Sequence, residues 1–280
     1  MRQMFSRQLV EARHEMLSIF ESVDLNLHDA ITAFVQEDKT LANKVKKNTL
    51  SIDARCANLE AICYNLIATQ SPMASDLRLL QFIIFTNFNL ERLSNHVRGI
   101  ARGAKRAANT QAVPEELLNI LAQEAEAVYQ VMGATISAIV NNDLDLVSKL
   151  DQLDDPVDAA YKNFYRTYNH LLGDVDIDEA GFDYARRSIM SARYLERMGD
   201  ICVEVGARVA FMLTGQRWTP SELSDLDDFE EVRIPSGEGR LLNSEKDAAF
   251  VAAVPSQELD DKLAEIVDNI DTDEERDTLY

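Results

Sequence analysis

The stretch NLERLSN, Asn89–Asn95, returns as YLERMGD at Tyr194–Asp200, and Glu91 and Glu196 stand 105 positions apart. The same interval of 105 joins Asp53 to Asp158, Asp38 to Asp143 and Lys44 to Lys149. It also lays AITAFVQEDKTLANKV (Ala30–Val45) on TISAIVNNDLDLVSKL (Thr135–Leu150) without a gap. The chain is a tandem duplication, so each half can be read against the other.

Working outward, apolar residues recur at Leu9, Ala12, Met16, Ile19, Val23, Leu27, Ala30 and Phe34. Steps of three and four are the signature of one face of a helix. Asp38 is placed to cap a second helix, with the stripe Leu41, Val45, Ile52, Cys56, Leu59, Cys63 and Leu66, ended by Pro72. A third helix starts near Ser75 or Asp76, either of which could cap it, and runs past Glu91 to about Gly103.

The second copy repeats this plan. Pro114 stands at a first-turn position, and Leu117, Leu121, Val128, Met132, Ile136 and Ile139 form the next stripe. Asp143 caps the fifth helix, which carries Pro156 inside it and is expected to bend or restart there. Gly173–Gly181 reads as an acidic loop, and a sixth helix runs from about Phe182 until Gly215 closes it. The expected fold is all-α, a tandem repeat of two antiparallel three-helix bundles, over residues 1–110 and 111–217. Residues 218–280 form an acidic extension read as mostly disordered, with helical spacing only at Glu258–Ile270.

Few glycines (10) and prolines (6) suit such long helices. The net charge of −20 argues against nucleic acid or an anionic lipid surface as the main partner. Thr219–Tyr280 holds 19 of the 48 acidic residues and 5 of the 28 basic ones. Cys56, Cys63 and Cys202 lie in apolar helical stretches without a CxxC, as small buried hydrophobes of a reducing compartment do. With neither a signal-type apolar core nor a run long enough to span a bilayer, the expected location is cytoplasmic.

The chemistry concentrates in carboxylate pairs. Asp154 and Asp158 stand four apart, as do Glu196 and Asp200, so each pair shares one helix face a turn apart. The first copy has Thr49 with Asp53 and Glu91 with Asn95 at these positions, half as many acids. Four carboxylates on neighbouring helices make a patch that a divalent or trivalent cation would relieve, and all-oxygen ligation suits Mg, Mn, Fe or Ca, with Zn also admissible. Against this stands the bland reading: such pairs arise often in an acidic helical chain, and each alone is a solvated face. Arg186, Arg187, Arg193 and Arg197 read first as salt-bridge partners of nearby acids. With no GxxxxGK[ST], GxGxxG or HExxH, nucleotide-binding and metalloprotease readings lack support, and no organic cofactor is expected.

QSPMASDLRLL followed by NLERLSNHVRGIA, then LDDPVD and YLERMGDICVEVGARVA, resembles the PhoU family of phosphate-specific transport accessory proteins. The resemblance covers both repeats, from about residue 5 to 215, and leaves out the acidic extension. It implies two three-helix bundles and metal binding, as iron or zinc clusters, through E/D-xxx-D pairs. Carried over, the second-copy ligands are Asp154, Asp158, Glu196 and Asp200; the first copy retains Asp53 and Glu91, with Asn95 and Thr49 departing from the pattern. The implied function is a non-enzymatic adaptor that negatively regulates phosphate uptake and the phosphate-starvation response. It would link the ATPase subunit of a phosphate ABC transporter to a sensor histidine kinase, as a homodimer peripheral to the membrane through its partners only. The competing classes are a metal store or metal-dependent enzyme built on the second-copy carboxylates, and a metal-free helical scaffold.

Overall fold

The computed structural model describes residues 2–107, 115–174 and 179–226, and among these every regular element is a helix. The helices are α1 (Arg2–Val35), α2 (Lys39–Gln70), α3 (Ala74–Ala107), α4 (Glu115–Asn141), α5 (Leu144–Ser148), α6 (Leu150–Asp174), α7 (Glu179–Thr214) and α8 (Pro220–Ser224). Helices α1, α2 and α3 pack on one another as one bundle, and α4, α6 and α7 as the second.

The apolar stripes explain the packing. All eight positions of the α1 stripe, Leu9 through Phe34, are buried, six of them with no exposure at all. Burying a large aliphatic or aromatic side chain stabilises a fold by about 1.5–3 kcal/mol, so such a stripe holds a helix that propensity alone would not. Asp38 caps α2 as expected, accepting from the backbone N–H groups of Thr40 and Leu41 at 2.8 and 3.0 Å. Asp143 does the same for α5 through Leu146 N–H at 3.0 Å. Gly215 closes α7 with φ of 73°, a left-handed conformation that glycine adopts without a Cβ penalty.

Four expectations are corrected. The interruption in the fifth helix falls at Lys149, not at Pro156: Lys149 N–H turns back to Leu146 O, and α6 restarts at Leu150. Pro156 then sits in the second turn of α6, where its missing N–H removes one hydrogen bond and no new break is needed. Helix α3 begins at Ala74, so Ser75 and Asp76 lie inside its first turn and do not precede it as caps. Helix α6 extends to Asp174 and α7 begins at Glu179, which leaves a shorter connection than Gly173–Gly181.

The fourth correction concerns the extension. Thr219 and Glu222 form a capping box, with Thr219 N–H donating to Glu222 Oε2 at 2.8 Å and Glu222 N–H to Thr219 Oγ1 at 3.2 Å. That cap starts α8, which buries Pro220 and Leu223 and packs on α5, while Ser221 Oγ donates to Asp151 Oδ2 at 2.7 Å. Ordered structure therefore continues past Trp218. Pro114, the expected Glu258–Ile270 helix and the rest of the acidic extension from 227 to 280 lie outside the described residues.

The bundles meet through α3 and α7, which run antiparallel. Along the contact, Arg78 Nε donates to Met212 O at 3.2 Å, the Arg208 guanidinium lies 4.3 Å over the Phe85 ring, and Arg92 reaches Glu204 at 3.6 Å. His96 stacks on Tyr194 with ring centroids 5.3 Å apart. On the α1–α4 side, His28 stacks on Tyr129 at 3.6 Å, and the buried Arg13 donates to Ile139 O at the C-terminal end of α4. A cation on the last carbonyls of a helix also meets the negative end of its dipole.

Candidate functional site

Asp154 and Asp158 lie on α6, and Glu196 and Asp200 on α7, the helix packed beside it. The approach of the two backbones is set by glycines seven apart on α7. A Cβ at Gly199 would overlap Oδ1 of Asp154, and one at Gly206 would overlap the Leu150 side chain. The sequence GDICVEVG thus brings α7 close to α6 where the carboxylates stand.

Three of the four carboxyls are raised above their ordinary range. Burial, then Asp200, Asp158, Glu196 and Asp151, push the Asp154 carboxyl up to about 7. Burial followed by Asp200 and Asp158 raises Glu196, with Arg193 and Arg197 opposing. Burial followed by Asp158 raises Asp200, against Arg197. Asp158 itself pairs with Lys162 at 2.9 Å, an exposed contact one turn along the same helix.

A fifth carboxylate joins from α4. Glu124 has no exposed surface, neither of its carboxylate oxygens has a hydrogen-bond partner, and its carboxyl is pushed up to about 9 by burial and then by Glu196. The α4 stripe steps seven residues from Leu121 to Val128, and helical spacing calls for buried side chains between them; Glu124 and Ala125 both take that place. An unpaired buried carboxylate is costly and protonates or finds a cation instead.

The donor set fits a hard cation in its chemistry: carboxylate oxygens only, with Asp154 Oδ1 buried and without a partner. The side chains do not yet converge on a point. Among the described residues, no three His, Cys, Asp or Glu groups are gathered closely enough to hold an ion as they stand. Holding one would take side-chain rotation within the patch.

The first copy is arranged differently. Asp53 Oδ2 lies 3.3 Å from Nη1 of Arg98, and Arg98 Nη2 donates to Asn95 Oδ1. Burial raises the Asp53 carboxyl, with Arg98 and Ser94 opposing. Thr49 is buried and donates to Lys46 O at 2.7 Å, while Glu91 is exposed. Ser94 stands at the position of Gly199, and Thr49 at that of Asp154, so the first copy lacks both the second acid and the room for it. These residues do not fit a metal cluster.

Cys56, Cys63 and Cys202 are buried free thiols, as expected, and burial pushes those of Cys56 and Cys63 up to about 12. No helix among the described residues is long and apolar enough to cross a membrane.

Comparison with known proteins gives the same register. The PhoU domain family matches residues 16–104 and again 121–209, two segments offset by 105 that together span more than half of the chain. The chain is similar to the phosphate-specific transport system accessory protein PhoU homolog 1 of Methanothermobacter thermautotrophicus, 28% identical over 215 residues, covering 76% of this chain and 96% of that one. It is 27% identical over 212 residues to the phosphate-specific transport system accessory protein PhoU of Escherichia coli, covering 76% of this chain and 86% of the relative. The crystal structure of PhoU from Pseudomonas aeruginosa shares the fold, with a TM-score of 0.68 at 24% identity, over 76% of this chain and all of that one.

Proposed function

The chain belongs to the PhoU family, and from that membership we propose that it is a non-enzymatic regulatory adaptor of a phosphate transport system. It holds phosphate uptake and the phosphate-starvation response down when phosphate is plentiful. It does so by linking the ATPase subunit of a phosphate ABC transporter to a sensor histidine kinase, at the cytoplasmic face of the membrane and as a homodimer. The observation that carries this reading is the pair of equally long family segments, which together take in part or all of every helix of both three-helix bundles. The relatives' designation as phosphate-specific transport system accessory proteins supports it.

Within that role Asp154, Asp158, Glu196 and Asp200 hold a divalent or trivalent ion such as Fe, Zn, Mn or Mg, with Glu124 behind them. The ion would supply positive charge between α6 and α7, offsetting the burial and then the mutual repulsion that raise three of those four carboxyls, and fixing the spacing of the two helices. The protein's own residues place the donors: Gly199 admits Asp154 to the interface, and Lys162 tethers Asp158 at its rim.

A strain lacking this chain tests the reading. Phosphate uptake and starvation-response output should both stay high in phosphate-replete medium and fall when the gene is restored. Normal repression in the deletion strain would overturn the assignment. Co-purification of the transporter ATPase subunit and of the kinase with the tagged chain tests the linking role separately.

A further inference from the structure

The two copies differ in where their positive charge comes from. Arg98 spans Asp53 and Asn95, the counterparts of Asp158 and Asp200, and the residue at its own position in the second copy is Val203. Arg55 repeats the theme on the same bundle. Its Nε lies 2.8 Å from Glu15 Oε1 and its two Nη groups donate to Ser22 and Ser18, whereas its counterpart is Ala160. Both guanidiniums are largely covered, with 24% exposure for Arg98 and 12% for Arg55. The cations facing the second-copy acids, Lys162, Arg193 and Arg197, are all exposed.

A guanidinium stays charged at every relevant pH and presents a planar fork of donors. Held on Asp53 Oδ2 and Asn95 Oδ1, it takes one oxygen from each of two positions an ion would use, and a cation approaching the remaining Asp53 Oδ1 would meet its full charge. We propose that Arg98 is a resident cation that closes the first copy to metal ions, so that ion binding in this chain is confined to the second copy. This rests on the reading of the matched carboxylate positions as ion sites, and it assigns the two halves different roles.

The test uses the full chain, stripped with chelator and titrated with Mn²⁺ followed by electron paramagnetic resonance. All variants carry Glu196→Ala with Asp200→Ala, which removes the second-copy site. That background alone, and the background with Thr49→Asp, Ser94→Gly and Asn95→Asp, which restore the second-copy residues at the matched positions, should bind no Mn²⁺ specifically. Adding Arg98→Val to those three substitutions should create a site for about one Mn²⁺ per chain, at least tenfold tighter than any residual binding with Arg98 present. Arg98→Gln serves the same purpose if the valine variant fails to fold by circular dichroism. Specific binding in the background, equal binding with and without Arg98, or no gain on its removal would each overturn the proposal. Wild-type protein measured alongside reports on the second-copy site alone, so its failure is distinguishable.

Discussion

Gly199 on α7 faces the carboxylate of Asp154 on α6 so closely that a single methyl group cannot be added at 199 without moving Oδ1. Gly206, two turns on, stands in the same relation to Leu150. The two contacts look alike and should respond differently. Asp154 is half-buried and can swing its carboxylate outward, whereas Leu150 has no exposed surface and nowhere to go.

Gly199→Ala should therefore change stability little. The helix gains about 1 kcal/mol of propensity, and turning Asp154 off its rotamer costs about 0.5–1.5 kcal/mol. Gly206→Ala should cost about 1–3 kcal/mol by overpacking. Urea denaturation of both variants checks the contrast. Bound ion, where present, should be lost from the first and kept by the second.

Elemental analysis of protein purified without added metal or chelator addresses the ligands directly. Near-stoichiometric Fe, Mn or Zn is expected in the wild type and should vanish in the Glu196→Ala, Asp200→Ala variant. Metal content unchanged by the double substitution would remove these residues from the ligand set.

Glu124 gives a pH dependence whose sign is fixed. Its folded-state carboxyl sits at about 9 against an ordinary 4.5, so the folded protein binds its proton more tightly than the unfolded chain does. That contribution is complete below pH 4.5 and disappears as pH rises through 9. Glu124→Gln, neutral at all pH, should be more stable than wild type at pH 8 by on the order of 2–5 kcal/mol, with the gap closing toward pH 5. Parallel Tm-against-pH curves for the two proteins would contradict this.

His96 gives the opposite slope. Burial, then Arg197 and Arg92, lower its pKa to about 4 from 6.5, so the unfolded chain takes up the proton first. Its share of stability is full above pH 6.5 and lost as pH falls through 4. His96→Gln should flatten the wild-type decline in Tm across that window.

Arg13→Met should destabilise the chain by about 1–3 kcal/mol, since it leaves the buried Ile139 carbonyl without its charged donor. The contact is buried, so the loss should be nearly the same in low and high salt. A loss that disappears in 1 M salt would point to surface electrostatics instead.

The parts legible in the sequence are those with a local signal. Stripe positions such as Met16 and Val45 follow from period 3.6, and Asp38 and Asp143 announce helix starts by chemistry alone. The 105-residue offset locates the acidic positions from sequence alone. Glu124 is not legible in the same way, because an acid in an apolar stripe reads as a gap in the pattern and not as a buried group. Nor is Arg98, because its importance lies in a residue 45 positions away, or the contact of α3 with α7, because amphipathicity marks a buried face without naming what covers it. The α6 restart at Lys149 was misplaced because proline is the louder signal, although the backbone had already turned one element earlier.

The antiparallel seam between α3 and α7 joins the same helix of the two copies. That is the contact two identical single-repeat chains would make about a twofold axis, each offering the same surface to the other. Two separate chains from one gene must stay identical on both sides of such an axis. Fusion lifts that constraint. An arginine at 98 and a valine at 203, or a serine at 94 and a glycine at 199, can coexist only because one polypeptide spells out both halves of what is geometrically a dimer.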